Sequence, residues 1–376
     1  VESLARHAHE KSYGPVEGMP ELREKIAQFH SKIDKRPISA NQVLVAPGSK
    51  ILLYSVMACF EKLDVLIPAP SWVSYAPQAA LLGHHVIPLI TTYQEKWRIT
   101  PDHIEAALAK KSHNKYPSLL ILNYPGNPDG LSYNTEELQA IAKCCSQYGI
   151  YVISDEIYGL LHHEGHHDSL ARHYPDRTIV TTGLSKWCGA GGWRLGVALL
   201  PHNCPTLQQT LTGIASELYS CAPTPVQWAA IDAYDWQEDT AIYLDKQRRL
   251  LRSLGRYCAQ SLRQSGVNVH DPVGGFYLYP DFSPFHDALH NKGIHSGTSL
   301  CRSILEHSGV ALLPATAFTM PKDELQCRLS YVDFDGARAL SHIQEHTEID
   351  LDWLRTYATP TMNAMDALVT YINQLT

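Results

Sequence analysis

Lys186 lies in the stretch TTGLSKWCGAGGWRLG, Thr181 to Gly196, with Arg194 eight positions beyond it. The residues leading into it, TIVTT, form a β-branched run that reads as a short buried strand. The lysine therefore sits just past a strand end, where α/β enzymes keep their chemistry. Among Leu184, Trp187 and Gly189 it is poorly hydrated, which disfavours the ammonium and favours a nucleophilic free amine. An amine nucleophile near a phosphate-binding arginine is the chemistry of a Schiff base with a phosphorylated aldehyde. A surface lysine in a glycine-rich loop would have the same local sequence, so this stretch alone does not decide.

Other stretches supply groups that such chemistry needs, each at the end of an expected element. Asn41 to Ala46 reads as a strand, followed by Pro47-Gly48-Ser49-Lys50 and a helix. A tight glycine turn at a helix N-terminus offers free backbone N–H groups to an anion. Strands are also expected over 64–67, 85–90, 118–122 and 151–154, with helices over 20–30, up to Gly83, and over 135–148. Trp72 follows the first of these strands in PAPSW. The strand Ser118 to Leu122 ends in NYPGNPDG, a rigid turn containing two prolines. Asp155 and Glu156 close the strand 151–154, and Arg194 to Leu200 reads as one more strand.

This alternation implies an α/β fold whose large unit has a mainly parallel sheet between helices. A long helical pattern over 240–265 is expected to join it to a smaller α/β unit built from GGFYLYPDF, VALLP, CRLSYVDF and late helices. The expected division is 1–245 and 246–376. His342 to Thr359 reads as an acidic insertion before a last helix at 362–375. HHEGHH, 162–167, fits no standard zinc spacing and reads as a solvated loop, so no metal site is expected.

The bulk composition narrows the class. The chain has 376 residues, 44% of them hydrophobic, enough for a large core. A net charge of −7 argues against nucleic acid or an anionic membrane as the main partner. The longest mostly apolar run, Ile51 to Phe60, is half the roughly twenty residues a membrane helix needs. The nine cysteines form no CxxC pair and fit free thiols in a reducing, cytoplasmic compartment.

Taken together, EGMPELR, NYPGNPDG, SDEIY, SK…GGWRLG, GGFYLYPDF and RLSYVDF resemble the class I aminotransferases, pyridoxal-phosphate enzymes of fold type I. The match runs from Tyr13 to Phe334. The resemblance implies that Lys186 carries pyridoxal 5'-phosphate covalently and later shuttles a proton. It implies that Asp155 pairs with the pyridine nitrogen, that Tyr158 and Asn127 hydrogen-bond the ring oxygen, and that Trp72 stacks on the ring. Gly48, Ser49 and Lys50 would present backbone donors to the phosphate, with Arg194 as its main cationic partner and Ser185 beside it. Arg328 would fork the substrate α-carboxylate, with Asn127 and Trp72 also bordering the substrate. Tyr13 would reach the phosphate in a neighbouring subunit, which implies a homodimer.

In the aspartate and prephenate branch of that family a lysine also stands at the position of Lys50, where it meets a substrate's side-chain carboxylate. The expected reaction is therefore amino transfer from aspartate, or another acidic amino acid, to a 2-oxo acid such as 2-oxoglutarate. The alternatives are a β-eliminating C–S lyase, an aminotransferase of aromatic or neutral amino acids, and an inactive protein of the same fold. Three departures stand out. The arm that precedes the Tyr13 motif in the family is expected to be missing. Gly183 replaces a frequent Ser or Thr, for which Thr182 or Ser185 could substitute. Asp129 and Gly191 replace threonines in their turns and are expected to loosen them.

Overall fold

The computed structural model describes residues 1–111 and 115–375. Seven strands form the main sheet: β1 Val43–Ala46, β2 Asp64–Ala69, β3 His85–Ile90, β4 Ser118–Asn123, β5 Tyr151–Asp155, β6 Thr178–Gly183 and β7 Gly196–Leu199. Their order is β1-β7-β6-β5-β4-β2-β3, and only the pairings of β7 are antiparallel. The α/β class and the mainly parallel sheet expected from the sequence are present.

Side-chain alternation along the strands sorts the core into two faces. Ile153 of β5 and Leu119 and Ile121 of β4 pack with the helices Ser49–Ala58 and Tyr75–Leu81. Val152 of β5 and Leu120 and Leu122 of β4 face the helices Pro101–Ala109 and Thr135–Tyr148. The helix Thr135–Tyr148 has the bounds its sequence implies. The Asn134 side chain accepts from Glu137 N–H at 2.8 Å, and Gly149 ends the helix in the left-handed conformation, φ 63°.

A second sheet of three strands, β8 Tyr277–Leu278, β9 Leu313–Pro314 and β10 Cys327–Ser330, follows the helix Glu238–Gln264. Residue 245 lies inside that helix. Leu244, Leu250, Leu254, Cys258 and Leu262 line its buried face within one apolar cluster, which also takes in Val180, Leu199, Tyr277, Leu329 and Leu368. Thr376, the last residue of the expected small unit, lies outside the described residues.

Three expectations need correction. Arg194 does not begin a strand; it adopts the left-handed conformation, φ 56°, and β7 starts at Gly196. The last helix starts at Thr359, not Met362, and the stretch before it, read as an acidic insertion, contains the helix Leu351–Tyr357, with Leu354 and Ala358 buried in the main cluster. HHEGHH is not fully solvated. His163 is buried between the carbonyls of Pro272 and Gly275, each 3.1 Å from a ring nitrogen, and His167 bonds Glu156 at 2.8 Å.

Gly196 marks the closest approach in the sheet. A Cβ there would overlap the backbone of Gly48 and Ser49, where the turn after β1 enters its helix. Gly196→Ala therefore must push that turn away. The expected cost is roughly 1–3 kcal/mol of folding free energy, read as a lowered urea midpoint with unchanged slope.

Candidate active site

The carboxyl ends of the parallel strands converge on one cleft. β2 ends at Ala69 and delivers Trp72 and Tyr75. β4 ends at Asn123 and leads to Asn127. β5 ends at Asp155 and leads to Tyr158, and β6 ends at Gly183 and leads to Ser185 and Lys186. With Ser49, Lys50, Arg194, Tyr277 and Arg328, these side chains line a cavity of about 410 Å³, a size typical of small-molecule sites.

Asp155 shares the parity of Ile153 along β5, so its carboxylate points toward the face where the helices Ser49–Ala58 and Tyr75–Leu81 pack. Tyr75 Oη donates to its Oδ2 at 2.6 Å and Thr181 Oγ1 to its Oδ1 at 3.1 Å. Burial raises its pKa to about 6, with the bonds from Tyr75, Thr181 and the Ile157 N–H working against that rise. The Asn123 side-chain amide donates to Asp155's own carbonyl at 2.8 Å, while Asn123 Oδ1 accepts from the Asn127 N–H at 2.8 Å. One asparagine thus ties the turn after β4 to the end of β5.

Lys186 is half-buried, with its Nζ 5.7 Å from the ring centres of both Tyr158 and Phe276. Its pKa is lowered, first by desolvation and then by the charges of Arg328 and Arg194, while Asp155 opposes the shift. A more available free amine is the result. Tyr158 is buried, with its hydroxyl 3.4 Å from that of Tyr277.

Arg328 donates from Nη1 to Asn127 Oδ1 at 3.0 Å. Its guanidinium lies 4.6 Å from the Tyr277 ring centre and 5.3 Å from that of Phe318. Among the described residues its buried Nε has no acceptor. The aromatic rings and Asn127 fix the plane of a fork that still has an unused donor.

On the opposite wall, the helix Ser49–Ala58 starts without any side-chain cap, so its first N–H groups face outward from the Gly48–Ser49 turn. Gly48 has φ 100°, and a Cβ there would overlap the Arg194 guanidinium. Arg194 reaches that turn by bonding the carbonyls of Gly191 at 2.9 Å and Pro47 at 3.3 Å. Free helix N–H groups and a guanidinium laid against them form a dianion cradle. Lys50 is exposed at the rim, its Nζ 5.0 Å from the Trp72 ring centre.

These features fit pyridoxal phosphate. The buried, twice-bonded carboxylate suits a protonated ring nitrogen, Trp72 offers a flat face, the cradle suits the phosphate, and Lys186 lies between them. The site gathers every residue expected from the sequence except Tyr13, which stands 89% exposed and apart from the cavity. Thr182 does not substitute near Gly183; it faces a different cavity, whereas Ser185 lines this one. Gly183 itself has no room for a larger residue, since a Cβ would lie 2.5 Å from Leu195 O. Asp129 does not loosen its turn either. Its carboxylate folds back under Gly126 and accepts from the Leu131 N–H at 2.7 Å.

Sequence reasoning missed Tyr75, Asn123, Thr181 and Tyr277. Strand parity would have found Asn123, the last residue of β4, which shares the face of Leu119 and Ile121; Tyr75, at the start of a helix three residues beyond Trp72, carries no such signal.

Residues 3–335 match the family model described as aminotransferase class I and II. An asparagine–oxo-acid transaminase from Streptococcus mutans is 30% identical over 325 residues, 85% of this chain and 79% of that protein. An aspartate aminotransferase from a Bacillus species is 31% identical over 343 residues, 89% of this chain and 82% of its own. A solved aspartate aminotransferase from Thermus thermophilus with maleate is 26% identical, with a TM-score of 0.80 over 100% of this chain and 87% of that one. An aromatic aminotransferase from Pyrococcus horikoshii, 24% identical with a TM-score of 0.83 over 99% of this chain and 91% of that one, shares the fold.

The Tyr75 bond can be weighed by pH. Asp155's folded pKa of about 6 lies above its ordinary 3.8, so its ionised form weakens the fold, and that cost grows as pH rises through this window. Tyr75→Phe removes a donor worth roughly 1.5–3 kcal/mol to a buried charge. In denaturant titrations of the cofactor-free protein, the variant should match the wild type most closely near pH 4 and fall behind as pH rises past 6. A constant gap at all pH values would show that the bond does not act on Asp155.

Proposed function

The chain belongs to the class I and II aminotransferases, and from that membership we propose that it moves the amino group of an acidic amino acid, aspartate first, to a 2-oxo acid such as 2-oxoglutarate. The enzyme is a transaminase that uses pyridoxal phosphate. Bound in the cleft, that cofactor supplies an electron sink for the substrate's α-carbon. The observation that carries the substrate assignment is a pair of cations on the cavity wall. Arg328 is braced by Asn127, and Lys50 stands at the rim beside Trp72. One cation serves the α-carboxylate and the second favours an acidic side chain by charge pairing.

The residue roles form part of the same proposal. Lys186, with its lowered pKa, holds the cofactor and moves the proton at the substrate α-carbon. Asp155 keeps the ring nitrogen protonated, braced by Tyr75 and Thr181. Tyr158 and Asn127 hold the ring oxygen, and Trp72 covers the ring face. The N–H groups at Ser49 and Lys50, together with Ser185 and Arg194, grip the phosphate; the Gly48 N–H, expected from the sequence to join them, is already given to Ala46 O at 2.7 Å, and Gly48 contributes the left-handed turn instead. Asn127 and Trp72 also border the substrate.

We further propose a homodimer in which Tyr13 enters the neighbouring site. In support, a large aromatic side chain stands 89% exposed on an extended segment. A cytoplasmic location rests on nine free thiols, several of them buried. Among the described residues no helix is long and apolar enough to cross a membrane. The division into units 1–245 and 246–376 is kept as a proposal, with the helix Glu238–Gln264 as the shared strut.

Two substitutions test the reading. Lys186→Ala should lower transamination by at least about a thousandfold. Lys50→Ala should lower kcat/KM for aspartate roughly ten- to a hundredfold while leaving alanine unchanged, the loss of one charge-assisted contact. Equal losses for both amino acids would remove the acidic preference. Release of a thiol, ammonia and pyruvate from an S-substituted cysteine, in place of a new amino acid, would establish the lyase.

A further inference from the structure

Tyr277 touches two groups of the cleft with different parts of one side chain. In the ladder between β8 and β10 it stands opposite Ser330. Arg328 lies two residues along β10, so it shares that face and is a diagonal neighbour of Tyr277. Diagonal neighbours in an antiparallel pair are about 7–8 Å apart, within reach of two long side chains. The Tyr277 ring centre accordingly lies 4.6 Å from the Arg328 guanidinium. Leu278 and Leu329, paired one step along the ladder, point to the other face and are buried. Phe318 also lies near the guanidinium, at 5.3 Å, but it has no hydroxyl and does not line the cavity.

The hydroxyl of Tyr277 lies 3.4 Å from that of Tyr158, and among the described residues each hydroxyl is the other's one hydrogen-bond partner. The two rings meet edge to face, with centres 5.9 Å apart and planes at 83°. Both residues line the cavity that holds Lys186 and Asp155. Burial first, and then the neighbouring Tyr277 hydroxyl, keep the Tyr158 pKa above its ordinary 10.0, so Tyr158 is a donor at neutral pH. A phenol has one hydrogen to give. When Tyr158 turns that hydrogen to a ring oxygen in the cleft, its own oxygen becomes an acceptor, and Tyr277 supplies the donor. A donor behind Tyr158 polarises it and strengthens the bond it makes in front.

We propose that Tyr277 is a positioning residue with two separable functions: its ring holds the Arg328 guanidinium in plane for a substrate carboxylate, and its hydroxyl backs the hydrogen bond from Tyr158 to the cofactor's ring oxygen. The proposal rests on the roles given above to Arg328 and Tyr158. It joins the substrate end of the cleft, supplied by β8 and β10, to the cofactor end, supplied by the segment after β5. The charged groups that line the cavity are Lys50, Asp155, Lys186, Arg194 and Arg328. Substitutions at Tyr277 leave all five in place, so their effects report the ring and the hydroxyl.

The test takes two readouts on the holoenzyme. One is the dissociation constant of succinate, which carries the carboxylates of an acidic substrate but no amino group to react. The other is the pH midpoint of the bound cofactor's visible absorbance. Tyr277→Phe keeps the ring and should leave succinate binding within about twofold. It should raise the pH midpoint by roughly 0.3–1 unit, because a weakened bond from Tyr158 stabilises the ionised ring oxygen less. In a Tyr158→Phe background the same substitution should add no shift. Tyr277→Leu removes the ring and should weaken succinate roughly three- to thirtyfold. Arg328→Lys, which loses the fork, should weaken succinate by at least about tenfold. If it does not, the role of Arg328 and this proposal fall together. If it does and Tyr277→Leu binds succinate like the wild type, the proposal alone falls. An unshifted midpoint in Tyr277→Phe, or an equal shift with and without the Tyr158 hydroxyl, also overturns it. If Tyr277→Leu fails to fold, the cycle between Tyr158 and Tyr277 decides alone.

Discussion

A carboxylate buried at the end of a central strand is the constraint around which the catalytic half of this molecule is arranged. Asp155 is fixed by β5, flanked by β4 and β6, and held by donors from two further segments, Tyr75 and Thr181. Desolvation alone would drive it to the neutral form, and the hydrogen bonds recover only part of that penalty. A carboxylate in this state is incomplete without a cation. The lowered pKa of Lys186 has the same origin, since it sits in the same poorly solvated space between Tyr158 and Phe276. Acid and amine are thus both displaced toward neutrality by one environment, and a protonated ring bound between them would relieve the acid while leaving the amine free to react.

The geometry that produces this environment is tight backbone packing. β7 passes so close to the turn after β1 that only glycine fits at Gly196, and Arg194 bends back in a left-handed conformation to lie on Gly48. Left-handed backbone is uncommon for a residue with a side chain, and here it turns the guanidinium toward the uncapped helix N-terminus. The strand expected to start at Arg194 could not reveal this. A run of apolar residues gives the period of a strand but not the conformation of the residue that enters it.

Much of the seven-stranded sheet and its helices was legible in the sequence because its signals are local. β3, His85–Ile90, and the helix Thr135–Tyr148 have the bounds read from their patterns, and the parallel sheet follows from alternating apolar runs. The three-stranded sheet and the segments around it were less legible. β8 and β9 have two residues each, too short for a period, and the stretch 342–359 hides a helix whose buried face depends on the final helix Thr359–Asn373. The ordered motifs indicated most of the cleft's lining. What they left out, Tyr75, Asn123, Thr181 and Tyr277, are residues that touch other site residues more than they announce themselves. Apart from the local bond between Asn123 and Asn127, their roles arise from bonds spanning 26 to 119 positions in the chain.

The histidine-rich loop shows why composition alone misleads in both directions. Four histidines in six residues resemble a metal cluster or a solvated tract, and the fold makes them neither. His163 becomes a core residue lying between two carbonyls of the segment before β8, and with its pKa lowered to about 4 by desolvation the neutral ring donates to only one of them. His167, four residues on, is shifted the other way: burial lowers its pKa, but the bond to Glu156 and the charges of Glu156, Asp34 and Asp168 outweigh it and raise it above its ordinary value. Identical side chains in one loop are therefore shifted in opposite directions, and the difference is set by which partner the backbone brings to each. The same logic separates Asp155 from Glu156. One step past the end of β5 turns an incompletely compensated acid facing one cavity into a fully paired one facing another, so a single strand end sets the electrostatics of both faces of the sheet.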